Sequence, residues 1–277
     1  MAKEYWYVLG GMLLLIIGLV LTVADKNIKR PVKNADATFS YKEVDGQQLM
    51  LHVFSPPERE VKEPLPAMLL FHGGRWLFGE PRAFYRHCAF FAAQGYVCIS
   101  AQYRLGSNNT VDVRQLVDDA ADALSYLTTH AQQLNIDPDK IIAGGGSSGG
   151  HLAAALGVLV PQLAQREYPI RPAGLVLYNP MLDLSPGTPD YPLVTDYWQA
   201  VSPQHHIDDS VPPTIVLVGS EDPEVPIPTA RAFCDAVTGK GGRCELEIYQ
   251  GQTHGFFNEE PYLAKTNSKV LEFLQSL

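Results

Sequence analysis

The chain has 277 residues, a net charge of -9 at neutral pH and an ordinary apolar share of 46%. This length accommodates one sizeable α/β domain, and the apolar share argues against disorder. The acidic balance argues against nucleic acid as a partner, because phosphate binding relies on clustered Lys and Arg side chains.

The start of the chain differs in character from the rest. Residues 7–23 read YVLGGMLLLIIGLVLTV, an uncharged apolar run at the lower length limit of a membrane-spanning helix. We therefore predict an N-terminal membrane anchor or signal segment over 1–24, a linker over 25–36 and one folded domain over 37–277. We favour an uncleaved anchor, since LTVADK fits a signal cleavage site only loosely.

The charges that flank this run leave the side of the membrane open. Four cationic residues between 26 and 33 follow the run, and Lys3 precedes it. By the positive-inside rule this asymmetry keeps the domain cytoplasmic, which conflicts with export. We expect a membrane-anchored or exported protein of the cell envelope, with the face unassigned.

The four cysteines form two pairs of equal spacing. Cys88 and Cys98 are ten residues apart, as are Cys234 and Cys244. Each pair brackets a helix end, a Gly-containing turn and a strand start, a path that can bring two sulfurs together. Disulfides there would indicate an oxidising compartment. We favour four separate buried thiols, which behave as small apolar side chains.

Beyond the linker, strand-like and helix-like segments alternate. Apolar alternation around Asp45-Gly46 predicts a β-hairpin. The segments that follow predict a mostly parallel sheet with helices on both faces, an α/β fold. Residues 181–212, rich in Pro, Asp and Ser, are expected to form a binding loop or small cap. The predicted strands are PAMLLFH, YVCISAQY, KIIAGGG, GLVLYNP, TIVLVGS and CELEIYQ, and the predicted helices cover 81–94, 112–134, a segment from 149, 228–238 and a segment from 260.

A glycine-rich junction follows the strand KIIAGGG. Within AGGGSSGGHLA, the residues GGSSG at 145–149 match G-x-S-x-G, the strand-turn-helix elbow that exposes a nucleophilic hydroxyl. Glycine neighbours suit the strained backbone and the close packing that such an elbow needs. Ser147 fits this pattern, and Ser148 fits it one residue later, so the motif leaves both serines as candidates. A phosphate-binding loop is disfavoured because no Lys follows the glycines.

A serine nucleophile needs a histidine base and an acid that orients it, and after this kind of elbow the acid precedes the histidine along the chain. His254, in GQTHGFF after the last predicted strand, is the candidate base. Asp222, at the end of TIVLVGSED, is the candidate acid, with Glu221 and the more distant Asp183 as alternatives. The other histidines beyond the elbow are expected to pack beside it (His151) or to lie in the predicted cap (His205 and His206).

The segment LLFHGGRW supplies a second glycine-rich turn after a strand. Loops of the HGGG type in lipases and esterases donate backbone N-H groups to the oxyanion of the reaction intermediate. Gly73 and Gly74 are therefore candidate oxyanion-hole residues. The sequence predicts no metal and no organic cofactor, because metal-binding spacings such as His-Glu-x-x-His and Cys-x-x-Cys are missing.

Five ordered motifs together give a specific resemblance. Through FHGGRW, AQYRL, NIDPDKIIAGGGSSGGHLA, PPTIVLVGSEDPEVP and GQTHGFF, the sequence from about residue 40 onward resembles α/β-hydrolases of the hormone-sensitive-lipase-like and feruloyl/acetyl-esterase-like group. The resemblance implies an α/β-hydrolase fold for the domain, with a small cap or none. The family elbow GDSAGGHLA, laid on GGSSGGHLA, favours Ser147 as the nucleophile and makes Ser148 the third oxyanion N-H donor.

Three positions depart from the family pattern. Arg75 replaces the third glycine of HGGG, and we expect it to narrow the oxyanion hole or to bind an acidic group nearby. Gly146 replaces the aspartate before the nucleophile, and Gln102 replaces an acidic residue before Tyr103. The large N-terminal cap of the lipase members is absent, since only the hairpin separates the linker from the first parallel strand, and this predicts an open site for short acyl groups.

These features predict a serine carboxylesterase whose partner is a small-molecule ester. Ser147, Asp222 and His254 would form the catalytic triad, and short-chain, acetyl-like esters, including carbohydrate-linked ones, are the expected substrates. Two alternatives stay open: a peptidase of the same fold, and a membrane-tethered protein that keeps the hydrolase fold but only binds. The oligomeric state is not predicted.

Overall fold

The computed structural model describes residues 32–57, 63–159 and 171–277. The predicted anchor over 1–24 and most of the linker lie outside these residues, so both stay predictions. In the described ranges, no helix is long and apolar enough to cross a bilayer. The chain divides into two units, residues 1–33 and 34–277, and all the elements below belong to the second.

An eight-stranded sheet forms the centre of this unit, in the order β1-β2-β4-β3-β5-β6-β7-β8. The first two strands form the predicted hairpin, and Asp45 and Gly46 both have positive φ, as a tight two-residue turn requires. The second strand pairs antiparallel with the fourth, and every later pairing is parallel. The strands are β1 Ala37–Val44, β2 Gln47–Phe54, β3 Leu65–Phe71, β4 Val97–Ala101, β5 Ile136–Gly146, β6 Gly174–Tyr178, β7 Thr214–Gly219 and β8 Cys244–Tyr249.

Helices cover both faces of the sheet, as the alternation of segments predicts. The helix predicted over 112–134 is interrupted at His130, which caps the long helix, and ends at Asn135 in the left-handed region. The described helices are α1 Tyr85–Ala93, α2 Val113–Thr129, α3 Ala131–Leu134, α4 Ser148–Val158, α5 Tyr191–Val194, α6 Trp198–Val201, α7 Ile227–Gly239 and α8 Tyr262–Gln275.

Alternate residues of the central strands pack into different layers. Leu69 and Phe71 of β3 join the large apolar cluster that includes side chains from α2, α4 and α7. Met68 and Leu70 are equally buried and point to the opposite face, because successive side chains of a strand alternate. Burial on both faces explains why these strands are continuous apolar runs in the sequence.

The small cap predicted over 181–212 is an excursion between β6 and β7 that contains α5, α6 and a 3-10 turn at Pro203–His205. Its Tyr197 hydroxyl donates to the carbonyl oxygen of Val111 at 2.9 Å and accepts the N-H of Val113 at 3.2 Å. These bonds attach the cap to the start of α2. The cap therefore follows the carboxyl end of a central strand, where ligands bind in open α/β sheets.

The two cysteine pairs differ. Cys234 and Cys244 form a disulfide with Cα atoms 5.1 Å apart, so the prediction of four free thiols is wrong for this pair. The end of α7, the turn after it and the start of β8 bring the two sulfurs together. Cys88 and Cys98 are free and buried, as predicted.

Candidate active site

The turn between β5 and α4 holds Ser147 in a strained conformation, with φ at 55°. A Cβ atom on Gly149 would overlap the backbone oxygens of Phe71 and His72, so a glycine is required where α4 begins beside β3. Ser148 is the first residue of α4, and its side chain is fully buried. The structure thus puts Ser147, and not Ser148, at the tip of the elbow.

Asp222 lies in the turn after β7 and accepts hydrogen bonds on both carboxylate oxygens. Oδ2 accepts from Nδ1 of His254 at 2.8 Å and from the side-chain amide of Asn179. Oδ1 accepts from the backbone N-H groups of Glu224 and Val225 at 2.8 and 2.9 Å. Burial raises the pKa of Asp222, but the His254 hydrogen bond and these N-H groups outweigh it, so the pKa lies below its ordinary value.

His254 lies in the loop after β8, where Asp222 holds its Nδ1 atom. Burial lowers the pKa of His254, but the hydrogen bond and charge of Asp222, with smaller contributions from Glu224 and Asp190, raise it above the ordinary histidine value. Its other ring nitrogen, Nε2, lies 3.7 Å from Oε2 of Glu224. The imidazole is thus oriented by one carboxylate and faced by a second.

The loop that carries His254 also contacts the elbow. The Phe257 ring occupies the space where a Cβ atom on Gly146 would lie, 2.6 Å from its Cζ atom. With Phe257 in this place, position 146 has no room for a side chain. The Ser147 hydroxyl donates to Sδ of Met181 at 3.8 Å, and among the described residues no hydrogen bond joins it to His254. Nucleophile-base contacts often form only when substrate binds.

The loop after β3 lies against the nucleophile. A Cβ atom on Gly73 would lie 3.1 Å from Cβ of Ser147. Gly74 has φ at +125°, and its carbonyl oxygen accepts the N-H groups of Leu77 and Phe78, which closes a turn. Within the described part of the chain, the N-H groups of Gly73, Gly74 and Ser148 make no hydrogen bond to protein. All three predicted oxyanion donors are therefore without a protein partner in the described residues, and Gly73 and Ser148 lie directly beside Ser147.

Arg75 follows this loop and turns toward the cap. Its Nε and Nη2 atoms each lie 2.7 Å from Oδ1 of Asp190, whose side chain is 8% exposed. Burial raises the pKa of Asp190, and the charge of Arg75 opposes that rise. Of the two roles expected for Arg75, the structure supports binding of a nearby acidic group. The ion pair ties the cap to the loop after β3.

The remaining sequence candidates have other partners. His151 is buried in the first turn of α4, where its Nε2 atom contacts the carbonyl oxygen of Val201 and burial lowers its pKa to about 4. His205 and His206 lie in the cap and hydrogen bond to Ser202 and to the backbone of Gln199. Only His254, of the four histidines after the elbow, hydrogen bonds a carboxylate.

The two alternative acids lie away from the imidazole. Glu221 has an exposed side chain, and its backbone N-H bonds to the carbonyl oxygen of Gln252. Asp183 accepts the backbone N-H of Ser185 in the cap. Over the described ranges, no group of three or more His, Cys, Asp or Glu side chains is arranged to hold a metal ion.

Four residues near the site were not identified from the sequence: Asn179, Met181, Asp190 and Glu224. Asn179 directly follows β6, at the same edge of the sheet as the elbow, and this placement was the one available signal for it. The other three are positioned by contacts between segments distant in the chain, so no short motif marks them.

A cavity of about 210 Å³ lies between the start of the cap and the turn after β7. Met181, which contacts the Ser147 hydroxyl, and Glu224, which faces His254, both line it. We call it the cap cavity; Asp183 and Asp190 complete its acidic lining. The cavity is thus lined by one residue that contacts the nucleophile and by one that contacts the base.

A protein-family model and solved structures both match this chain, and both have the α/β-hydrolase fold. A model of the α/β hydrolase fold matches residues 68–258. Thermogutta terrifontis esterase 2 phosphoramylated by tabun is 36% identical, with a TM-score of 0.81 over 90% of this chain and 97% of that chain. The butyrate-bound structure of the same esterase is 36% identical, with a TM-score of 0.80 over 89% of this chain and 95% of that one.

Curated relatives are more distant. A "Probable carboxylic ester hydrolase" of Mycobacterium tuberculosis is 28% identical over 72% of this chain and 51% of its own length. An "Esterase" of Gibberella moniliformis is 26% identical over 71% of this chain and 68% of its own length. The chain therefore spans half to two thirds of these relatives but nearly all of the bacterial esterase of known structure.

Proposed function

This chain belongs to the α/β-hydrolase fold family of esterases, and on that premise we propose that it is a serine carboxylic ester hydrolase. Its proposed substrates are short-chain, acetyl-like esters, including carbohydrate-linked esters. The observation that carries the proposal is the hydrogen-bonded Asp222–His254 pair in a domain whose elbow presents Ser147 beside three free N-H groups.

In the proposed mechanism, Ser147 is the nucleophile. Its hydroxyl attacks the ester carbonyl carbon while Nε2 of His254 takes the proton, and Asp222 stabilises the imidazolium that forms. The carbonyl oxygen becomes an oxyanion and accepts hydrogen bonds from the N-H groups of Gly73, Gly74 and Ser148. His254 then gives its proton to the leaving alcohol oxygen, which releases the alcohol and leaves an acyl-enzyme.

The second half of the reaction repeats these steps with water. His254 removes a proton from the water as its oxygen attacks the acyl carbon. The bond between that carbon and Oγ of Ser147 then breaks, His254 returns the proton to Oγ, and the carboxylic acid leaves. The depressed pKa of Asp222 keeps its carboxylate ionised throughout, so it holds one tautomer of His254 with Nε2 free to accept a proton. The relative from Thermogutta terrifontis is phosphoramylated by tabun, which supports a mechanism that uses a nucleophilic side chain.

The preference for short acyl groups rests on the size of the cap and on a relative. Over the described residues, only the excursion between β6 and β7 extends the site, and it consists of short helices. Structures of the Thermogutta esterase are described as bound to butyrate and to propionate. These observations favour small acyl groups over long lipid chains.

We also propose that residues 1–24 attach the enzyme to a membrane, or direct its export, and that the domain over 37–277 lies in the oxidising part of the cell envelope. The apolar run at 7–23 and the Cys234–Cys244 disulfide support this placement, since disulfides persist mainly outside the cytosol, whereas the four cationic residues between 26 and 33 favour the cytoplasmic face. Protease treatment of intact cells tests it: digestion of the domain without lysis is expected, and protection until lysis would contradict it.

The activity is tested with p-nitrophenyl esters from acetate to palmitate on the full chain. Hydrolysis of the short esters, together with labelling of Ser147 by a fluorophosphonate probe, is expected. A Ser147→Ala variant serves as the control for both readouts. A folded wild-type protein that neither hydrolyses these esters nor reacts with the probe would refute the proposal.

A further inference from the structure

The cap cavity has a defined position relative to the reacting atoms. In the proposed mechanism the carbonyl oxygen of the ester points to the loop at Gly73 and Gly74, and the alcohol oxygen must lie near Nε2 of His254, which protonates it. Glu224 is 3.7 Å from that nitrogen and lines the cap cavity. The cavity therefore adjoins the alcohol part of the ester.

The charge of this cavity is unequally compensated. Asp190 is paired with Arg75 through two contacts of 2.7 Å. Glu224 is 48% exposed, and its ionic contact within the described residues is with His254, which is neutral when it acts as a base. While His254 is neutral, the negative charge of Glu224 therefore has no cationic partner among the described residues.

The backbone that carries Glu224 is anchored to the acid of the site. The N-H groups of Glu224 and Val225 both bond to Asp222, so the turn that positions the acid also positions Glu224. Because Asp222 is fixed by His254 and Asn179, the residue two positions later has little freedom to move its backbone away. The negative charge of Glu224 is therefore carried from an anchored backbone position beside His254.

From this geometry, and resting on the proposed ester hydrolysis, we propose that Glu224 is a specificity-determining residue that favours esters whose alcohol carries a positive charge. A cation on the alcohol would approach Glu224 in the cap cavity, whereas an anionic alcohol would be repelled. The acyl group points away from Nε2, so a charge on the acyl group would interact more weakly with Glu224.

The test compares acetylcholine with neohexyl acetate, its uncharged carbon isostere, in wild type and Glu224→Gln. We expect the ratio of kcat/KM values, charged over uncharged, to fall by about two- to fivefold in the variant, the range expected for a half-exposed ion pair. Glu221→Gln removes the same charge from an exposed residue three positions earlier and serves as the matched control. Its ratio should equal that of wild type.

Two further readouts make the proposal falsifiable. The ethyl esters of γ-butyrobetaine and of its carbon isostere place the same charge on the acyl side, where Glu224→Gln should change the ratio less. An unchanged acetylcholine ratio, an equal fall in Glu221→Gln or an equal acyl-side effect would overturn the inference. If wild type failed to hydrolyse p-nitrophenyl acetate, the proposed function itself would be refuted, and the inference with it.

Discussion

The elbow and the acid-bearing turn of this site are built on different scales of sequence distance. The glycines next to Ser147 permit its strained turn and mark it in the sequence, and its N-H also bonds to the carbonyl oxygen of Tyr178, 31 residues away. Asp222 is held by side chains 43 and 32 residues away, Asn179 and His254. A short glycine-rich motif therefore marks the nucleophile in the sequence, whereas the acid and base are defined mainly by contacts made in the folded domain.

The largest expected effect comes from the nucleophile. Ser147→Ala should lower kcat by roughly 10⁴- to 10⁶-fold, because no other group in the site can form the acyl-enzyme. The melting temperature should change little, since the substitution keeps the Cβ atom and removes only a hydroxyl. Steady-state kinetics on p-nitrophenyl acetate and thermal melting measure both quantities.

Ser148→Ala is the matched control for this prediction. It removes the same hydroxyl one residue later and keeps the backbone N-H that is proposed to bind the oxyanion. We expect it to lose far less activity than Ser147→Ala. Equal losses in the two variants would show that the elbow presents Ser148 instead.

The next effect tests the side that depends on distant contacts. Asp222→Asn should lower kcat by about 10³- to 10⁴-fold, because an amide does not stabilise the imidazolium and can select the wrong tautomer of His254. Glu221→Gln, next to it on the exposed side, should leave kcat within about twofold of wild type, as surface changes usually do. If Glu221→Gln were the damaging variant, the acid would be misassigned.

The same contrast separates what the sequence predicted from what it could not. The hairpin, the parallel strands and the elbow follow from local patterns, so they were predicted closely. Asp222 and His254 were predicted from chain order and motif, and the structure brings them within 2.8 Å. The Arg75–Asp190 pair joins residues 115 positions apart, and the Cys234–Cys244 disulfide depends on how a helix, a turn and a strand pack. No local pattern determines either of them.

A smaller loss of kcat is expected from a change at Asn179, which hydrogen bonds to the acid. Asn179→Ala removes one of the donors to Asp222 but leaves His254 and two backbone N-H groups in place, so we expect kcat to fall by roughly tenfold, the cost of one hydrogen bond to a charged group. KM should change little, because Asn179 contacts the acid and not the substrate. A rise in KM at constant kcat would contradict this positioning role.

The Arg75–Asp190 ion pair, which joins two distant segments, is expected to contribute to the free energy of unfolding. Arg75→Ala leaves a buried carboxylate unpaired, and we expect it to lower the free energy of unfolding by about 1–2 kcal/mol. Asp190→Asn in the same background should recover part of this loss, because it removes the unpaired charge. Urea denaturation of the two single variants and the double variant measures the coupling.

Lys140→Ala provides a matched control, since Lys140 pairs with Asp137 at 3.3 Å on the surface and is 65% exposed. An exposed pair is worth about 0–1 kcal/mol, so this variant should cost less than Arg75→Ala. Equal costs would mean that Arg75 does not join the cap to the loop after β3 in any way that stabilises the fold.

The smallest effect concerns the charges around His254. Asp222, Glu224 and Asp190 together outweigh burial and raise the pKa of His254, and Arg75 faces Asp190. Because the base must be neutral to accept the Ser147 proton, activity should fall as pH drops through this raised pKa. The acid limb of log kcat/KM for p-nitrophenyl acetate should thus lie at higher pH than the titration of an ordinary histidine.

Glu224→Gln should move this acid limb to lower pH, since one negative charge that stabilises the imidazolium is lost. Glu221→Gln should leave the acid limb where it is in wild type. A limb below that of ordinary histidine would mean that burial dominates at the base, and that the fixed carboxylates do not control its protonation.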